Sequence, residues 1–220
     1  MAIPKENDRE FAIDEALARL AAAVPGYRVP VVDLIAVQGR DPYRILLATI
    51  LSSRTRDETT ATAAARLFAQ APDLRALARL SPEQLAALIH PVGFYRTKAR
   101  HLARLPAVLE QLFGGVIPDR VEELIKLPGV GRKTANLVVA LAFQQPAICV
   151  DTHVHRLMNL WGYVATKDPE ATEKALRAKL PRHYWLTLNS TLVAFGQEIC
   201  RPRQPRCSRC PVADLCPGGG

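Results

Sequence analysis

Apolar positions recur at helical spacing along nearly the whole chain, and that spacing predicts an all-α protein. Phe11, Ala16, Leu17 and Leu20 line one face of an opening helix, which Pro25-Gly26 stops. Asp41-Pro42 sets a capping acid before a proline at the first helical position, and Ile45, Leu46, Ala48, Thr49 and Ile50 follow. Asp57 is placed to cap a third, Ala-rich helix that runs through Phe68. Ser81-Pro82-Glu83-Gln84 is a capping box ahead of Leu85, Leu88 and Ile89. A longer helix is predicted from near Thr97 to Gly114-Gly115, and Asp119 with Glu122 opens a short one that runs into Leu127. Arg132 begins the next helix, with Leu137, Val138 and Leu141 on one face. Asp151 and Asp168 read as two more N-caps, and a last helix is predicted from His183 to Ile199. Residues 147–150 are apolar and partly β-branched but too short to build a sheet.

Composition narrows the class. The chain has 220 residues, 49% of them hydrophobic, which is enough for a packed core and too apolar for a disordered segment. The net charge is +8, and its distribution is uneven. Residues 1–34 carry a net of −2, residues 35–150 a net of +6 and residues 151–220 a net of +4. An anionic partner is therefore expected to meet the middle and C-terminal parts. The opening Met1–Glu10 stretch is polar and lacks the apolar region of a signal peptide, and no apolar run reaches membrane-spanning length. A cytoplasmic, nucleoid-associated protein with no membrane partner is the expectation.

Three segments carry candidate chemistry. The first is Leu127-Pro128-Gly129-Val130-Gly131-Arg132-Lys133-Thr134-Ala135, between two predicted helices. Its glycines suit a tight turn with exposed backbone N–H groups, and the next helix points its N-terminus the same way. That arrangement fits a DNA phosphate and reads no sequence; a merely steric helix–helix turn is the plain alternative. Lys133 follows in the first helical turn, where the helix dipole favours the neutral, nucleophilic amine, although most lysines are simply solvated. In Val150-Asp151-Thr152-His153-Val154-His155-Arg156 the acid satisfies helix donors, and the same carboxylate can stabilise a positive sugar-like transition state. His153 and His155 are read as packing or phosphate contacts.

The third segment is the C-terminus. Four of the five cysteines fall in the last 21 residues, which points to a metal or cluster site and not to a disulfide framework. Cys200, Cys207, Cys210 and Cys216 give C-x6-C-x2-C-x5-C. Zinc modules usually pair two C-x2-C knuckles, and only one is present, so an iron–sulfur cluster is favoured while zinc stays open. Arg201, Arg203, Arg206 and Arg209 make this loop basic, as a phosphate-binding surface would be. Cys149 lies in an apolar stretch and is expected to be buried.

In these segments, in this order, the chain resembles endonuclease III of the helix-hairpin-helix DNA glycosylase superfamily. Residues 50–57 (Ile-Leu-Ser-Ser-Arg-Thr-Arg-Asp) and 92–99 (Val-Gly-Phe-Tyr-Arg-Thr-Lys-Ala) are similar to family segments as well. The resemblance implies a two-lobed all-α fold. Residues 35–145 would form a six-helix barrel with the hairpin, and residues 1–34 and 146–220 together a helical domain with a [4Fe–4S] cluster held by the four cysteines. Duplex DNA containing a damaged base or an abasic site would be the partner, with the lesion flipped out, and the protein would act as a monomer. Lys133 matches the lysine that attacks the sugar C1′, and Asp151 matches the family's aspartate. Gly129, Val130, Gly131, Arg132, His153, Arg201, Arg203 and Arg206 would contact DNA.

Arg54 stands where many relatives carry Gln in the loop that fills the space of the flipped base, and Phe94 stands at the apolar wedge, often Leu. The two are expected to enter the duplex from opposite sides. The resulting expectation is a base-excision-repair glycosylase with β-elimination lyase activity on oxidised pyrimidines. The rivals are a same-family enzyme for mismatches or other lesions, a non-catalytic helix-hairpin-helix DNA-binding module, and a zinc-stabilised nucleic-acid-binding protein. Lys133 and Asp151 together oppose the non-catalytic reading, since binding alone needs neither.

Overall fold

The computed structural model describes residues 11–27 and 29–218; among them there are helices and turns and no strand, as the apolar spacing predicts. The polar opening segment and the end of the glycine tail lie outside the described residues. No single helix is long and apolar enough to cross a membrane.

The chain divides into two compact units. One comprises residues 30–149 and 182–186. It contains α2 (Val31–Val37), α3 (Pro42–Ser52), α4 (Asp57–Gln70), α5 (Leu74–Leu77), α6 (Pro82–Ile89), α7 (Tyr95–Phe113), α8 (Val121–Leu124) and α9 (Arg132–Phe143). Its centre is α3, where Ile45, Leu46, Leu47, Ala48 and Leu51 are all fully buried. A helix buried nearly all round belongs to the middle of a bundle, and α3 packs against α2, α4, α7 and α9. The caps read from the sequence hold it. Asp41 accepts from the Tyr43 amide at 2.9 Å, and the Ser81 and Gln84 side chains complete their reciprocal box.

The other unit comprises residues 1–29, 150–181 and 187–220. It contains α1 (Ile13–Ala23), α10 (Thr152–Leu160), α11 (Pro169–Lys179) and α12 (Leu188–Glu198). Asp168 caps α11 by accepting from the Ala171 amide at 2.8 Å. Arg19 on α1 pairs with Asp214 at 2.7 Å, fastening the first helix to the cysteine-rich end of the chain.

Three helix boundaries differ from the sequence reading. Arg56, in extended backbone, is the N-cap residue of α4, so Asp57 lies inside its first turn and caps nothing. Asp119 accepts from Gln145 Nε2 at 2.8 Å, and the short helix starts after Arg120. The predicted last helix is broken. A single 3-10 turn, Arg182–Tyr184, precedes α12, and residues 182–186 belong to the other unit.

Candidate functional site

The glycine-rich turn connects α8 to α9. Gly129 has φ +78°, a region that L side chains rarely adopt, so the turn needs glycine there. Val130 donates its amide to the Leu127 carbonyl at 3.2 Å and buries its side chain, so this residue anchors the turn. Gly131, the N-cap residue of α9, is different. Its backbone is extended at φ −94°, and nothing stands within 4 Å of where a Cβ would lie. Neither conformation nor packing demands glycine at 131. An open N-terminus with no side chain in the way is what close approach of an anion requires.

Lys133 stands exposed in the first turn of α9, with Arg132 exposed beside it. Below them the helix is locked. Thr134 to Ala140 are all buried, and the Cys149 thiol donates to the Lys133 carbonyl at 3.6 Å. The amine therefore rises from a fixed base.

Asp151 is the N-cap residue of α10. One carboxylate oxygen, Oδ1, accepts from the amides of His153 and Val154, both at 2.9 Å. That fixes the carboxylate in orientation and leaves Oδ2 outside these two bonds. His153 packs against Gly196 of α12, where a Cβ would come within 2.4 Å of its Nδ1. His155 meets Thr172 Oγ1 at 2.7 Å through Nδ1, so it serves the α10–α11 contact.

Arg54 and Phe94 occupy facing loops of one unit. Both have positive φ, 54° and 56°, and Phe94 is 62% exposed. The Arg54 guanidinium lies over the Phe94 ring, 5.4 Å from its centroid. The two side chains thus stand together, exposed, at the facing loops of this unit. Beneath them is a residue the sequence did not single out, the buried Lys98.

The cysteine end has its own geometry. Cys200, Cys207, Cys210 and Cys216 border one cavity of about 290 Å³, walled by Leu160, Trp161 and Phe195. Among the described residues no three His, Cys, Asp or Glu side chains gather tightly enough for a single ion. Four sulfurs spread around a cavity fit a cluster better than one tetrahedral zinc. Burial pushes the Cys210 thiol up, and the other three cysteines push it further, a cost that a bound cationic iron centre offsets. Arg156, one turn beyond Asp151, donates to Cys200 Sγ at 3.5 Å and to the Cys200 carbonyl. Neither Arg156 nor Lys98 carries a sequence signal that separates it from an ordinary surface cation.

A glycine hairpin feeding a helix with an exposed lysine, a capped aspartate and a four-cysteine cavity define a helix-hairpin-helix DNA-repair protein with an iron–sulfur centre. Residues 47–182 match the HhH-GPD superfamily base excision DNA repair proteins, and residues 200–216 match the iron-sulfur binding domain of endonuclease III. The chain is 47% identical over 176 residues to endonuclease III of Thermotoga maritima, covering 80% of this chain and 83% of that one. It is 45% identical to the endonuclease III-like protein 1 of Bos taurus, again over 80% of this chain but only 58% of the relative's length. A solved structure of a trapped endonuclease III–DNA covalent intermediate superposes with a TM-score of 0.85 at 33% identity, covering 96% of this chain and 97% of that one. The chain belongs to the endonuclease III family. It is a base-excision-repair DNA glycosylase and abasic-site lyase that binds DNA, and its cofactor is the family's [4Fe–4S] cluster.

Proposed function

We propose that this enzyme, acting as a monomer, removes oxidised pyrimidines from duplex DNA with Lys133 as nucleophile and Asp151 as the supporting carboxylate. The observation that carries the reading is the placement of Lys133: exposed, on a helix start whose backbone is locked, two residues past the open N-cap glycine Gly131. Gly129, Gly131 and Arg132 hold a phosphate, which sets the strand against the amine. The neutral nitrogen attacks C1′. The glycosidic bond breaks with its electron pair going to the base, which leaves with a proton. Asp151 stabilises the positive charge that develops on the sugar, and its own cap bonds keep it oriented. The sugar ring then opens: the C1′–O4′ bond breaks, O4′ keeps the electron pair and takes up a proton, and the nitrogen lone pair completes an iminium at C1′. Its pull acidifies the C2′ proton, and loss of that proton expels the 3′ phosphate by β-elimination. A water nucleophile offers no such route and leaves the abasic site intact. The solved relative's trapped covalent intermediate with DNA supports a nucleophile supplied by the protein.

Cys200, Cys207, Cys210 and Cys216 are assigned as the cluster ligands. The bound cluster supplies a rigid, redox-capable iron centre, and no chemistry on the base is assigned to it. Ligation by the four cysteines would fix the loop bearing Arg201, Arg203, Arg206 and Arg209 so that these cations meet phosphates. His153, half-buried against Gly196, is assigned as a phosphate contact. The deciding experiment is borohydride trapping on a panel of duplexes, each with one lesion. Lys133→Gln is expected to abolish both trapping and strand cleavage and to retain binding. Undiminished trapping by that variant overturns the assignment and points to another amine.

A further inference from the structure

Lys98, on α7, is only 7% exposed, yet it carries an amine into the interior. Its Nζ donates to the carbonyl of Leu51 at 2.8 Å and to that of Ser53 at 2.6 Å, and it reaches Thr55 Oγ1 at 3.4 Å. The first two acceptors lie at the C-terminal end of α3, where helix carbonyls lack intrahelical partners and carry partial negative charge. Thr55 Oγ1 also accepts from the Gly93 amide at 3.1 Å. Gly93 itself lies so close to the other loop that a Cβ on it would come within 2.3 Å of the Arg54 carbonyl oxygen. Directly above sit Arg54 and Phe94, both in left-handed backbone that costs energy for side chains of this size. Such conformations persist only when the surroundings over-determine them.

We infer that Lys98 is a positioning residue: its ammonium group clamps the 53–55 loop onto the 92–94 loop and so holds Arg54 and Phe94 as a poised pair. This rests on the reading that these two side chains enter the duplex at the lesion. A neutral apolar residue at 98 takes the lysine donor from the Leu51 carbonyl and leaves the Ser53 carbonyl only the Thr55 hydroxyl at 3.3 Å, and the two loops then have only the Thr55–Gly93 bond and packing to join them. Burial alone lowers the Lys98 pKa to about 8, so the amine is still mostly charged at neutral pH.

The test uses cluster-loaded, full-length enzyme and measures affinity for lesion-bearing and undamaged duplexes. Lys98→Met is expected to lower the lesion preference roughly tenfold, with undamaged affinity within about twofold of the parent. Added to Phe94→Ala, it is expected to cause no further loss, because both changes remove the same element. Hydrogen exchange is expected to speed up at the Gly93 amide and across residues 53–55, a readout independent of lesion recognition. Thr55→Val, which removes the shared hydroxyl and leaves the buried amine, should act in the same direction and serves if Lys98→Met does not fold. Multiplicative losses in the double variant, or unchanged exchange in the two loops, overturn the clamp. Wild-type lesion preference in both Arg54→Ala and Phe94→Ala would instead overturn the reading beneath it, and the exchange result would still judge the clamp.

Discussion

The imidazole of His101 covers Gly129: a Cβ at residue 129 would lie 2.7 Å from His101 Nδ1. A helix side chain from α7 thus braces the hairpin at its one left-handed position. The two glycines of the turn therefore serve separate ends. Gly129→Ala is expected to cost about 2 kcal/mol, from a positive φ and a displaced imidazole together. Gly131→Ala is expected to change stability by less than about 0.5 kcal/mol, since its backbone is extended and its surroundings are open. DNA affinity should nonetheless fall roughly tenfold in Gly131→Ala, because a methyl group enters the anion's path. Thermal melting and duplex titration of the two variants check the contrast.

Asp151 combines a cap with a charge, and two substitutions separate them. Asn caps helices about as well as Asp, so Asp151→Asn should leave stability nearly unchanged. Base release should still slow on the order of a hundredfold, with cleavage of preformed abasic sites largely spared. Asp151→Ala should lose about 1 kcal/mol of stability in addition. Single-turnover excision and urea melts check both. Equal excision rates for the Asn variant and the parent would remove the electrostatic role.

The arginines of the cysteine loop are not equivalent. Arg206 pairs with Glu198 at 2.7 Å, while Arg203 stands exposed. Arg203→Ala is expected to reduce the salt dependence of DNA binding by about one unit of slope, as one phosphate contact does. Arg206→Ala should reduce it less, since its charge is already partly compensated. Salt titrations of duplex affinity measure this. Removing any one of the four cysteines should bleach the visible absorbance of the iron centre; full colour in a Cys207→Ala variant would exclude that ligand.

Lys98 makes stability depend on pH in an unusual window. Its pKa is about 8 in the folded chain against an ordinary 10.5. Below pH 8 both states hold the proton, and above 10.5 neither does. Between them the unfolded chain binds more protons, so stability rises with pH, by about 3 kcal/mol in all. Lys98→Met should lack that rise. Urea denaturation of both proteins at neutral pH and near pH 10 gives the comparison. A parallel pH response in the two would show that another group is responsible.

Local chemistry made much of this legible. Asp41, Ser81, Asp151 and Asp168 all cap the helices that their positions announce, because a cap depends on three or four adjacent residues. The hairpin and the cysteine spacing are local in the same sense. What escaped depends on distant neighbours. The helix α2 has no side-chain cap and spans only seven residues, held by burial of Val31, Val32 and Ala36. The apolar rhythm runs unbroken through Trp185 and Leu186, so nothing local reveals that residues 182–186 leave one unit for the other. Lys98 reads as one more solvated lysine until α3 is set against it.

The alternation of the chain between its two units bears on the order in which the protein is made. The polypeptide crosses from one unit to the other after residues 29, 149, 181 and 186. Synthesis proceeds from the N-terminus, so the unit centred on α3 has nearly all its sequence once residue 149 has emerged. Arg19 must wait for Asp214, 195 residues later, to form its pair. The helix α1 meets α12 as soon as that helix is made, but its ion pair to the cysteine-rich segment forms only once residue 214 has been added. Iron loading therefore waits for Cys216, the last of the four cysteines to be synthesised.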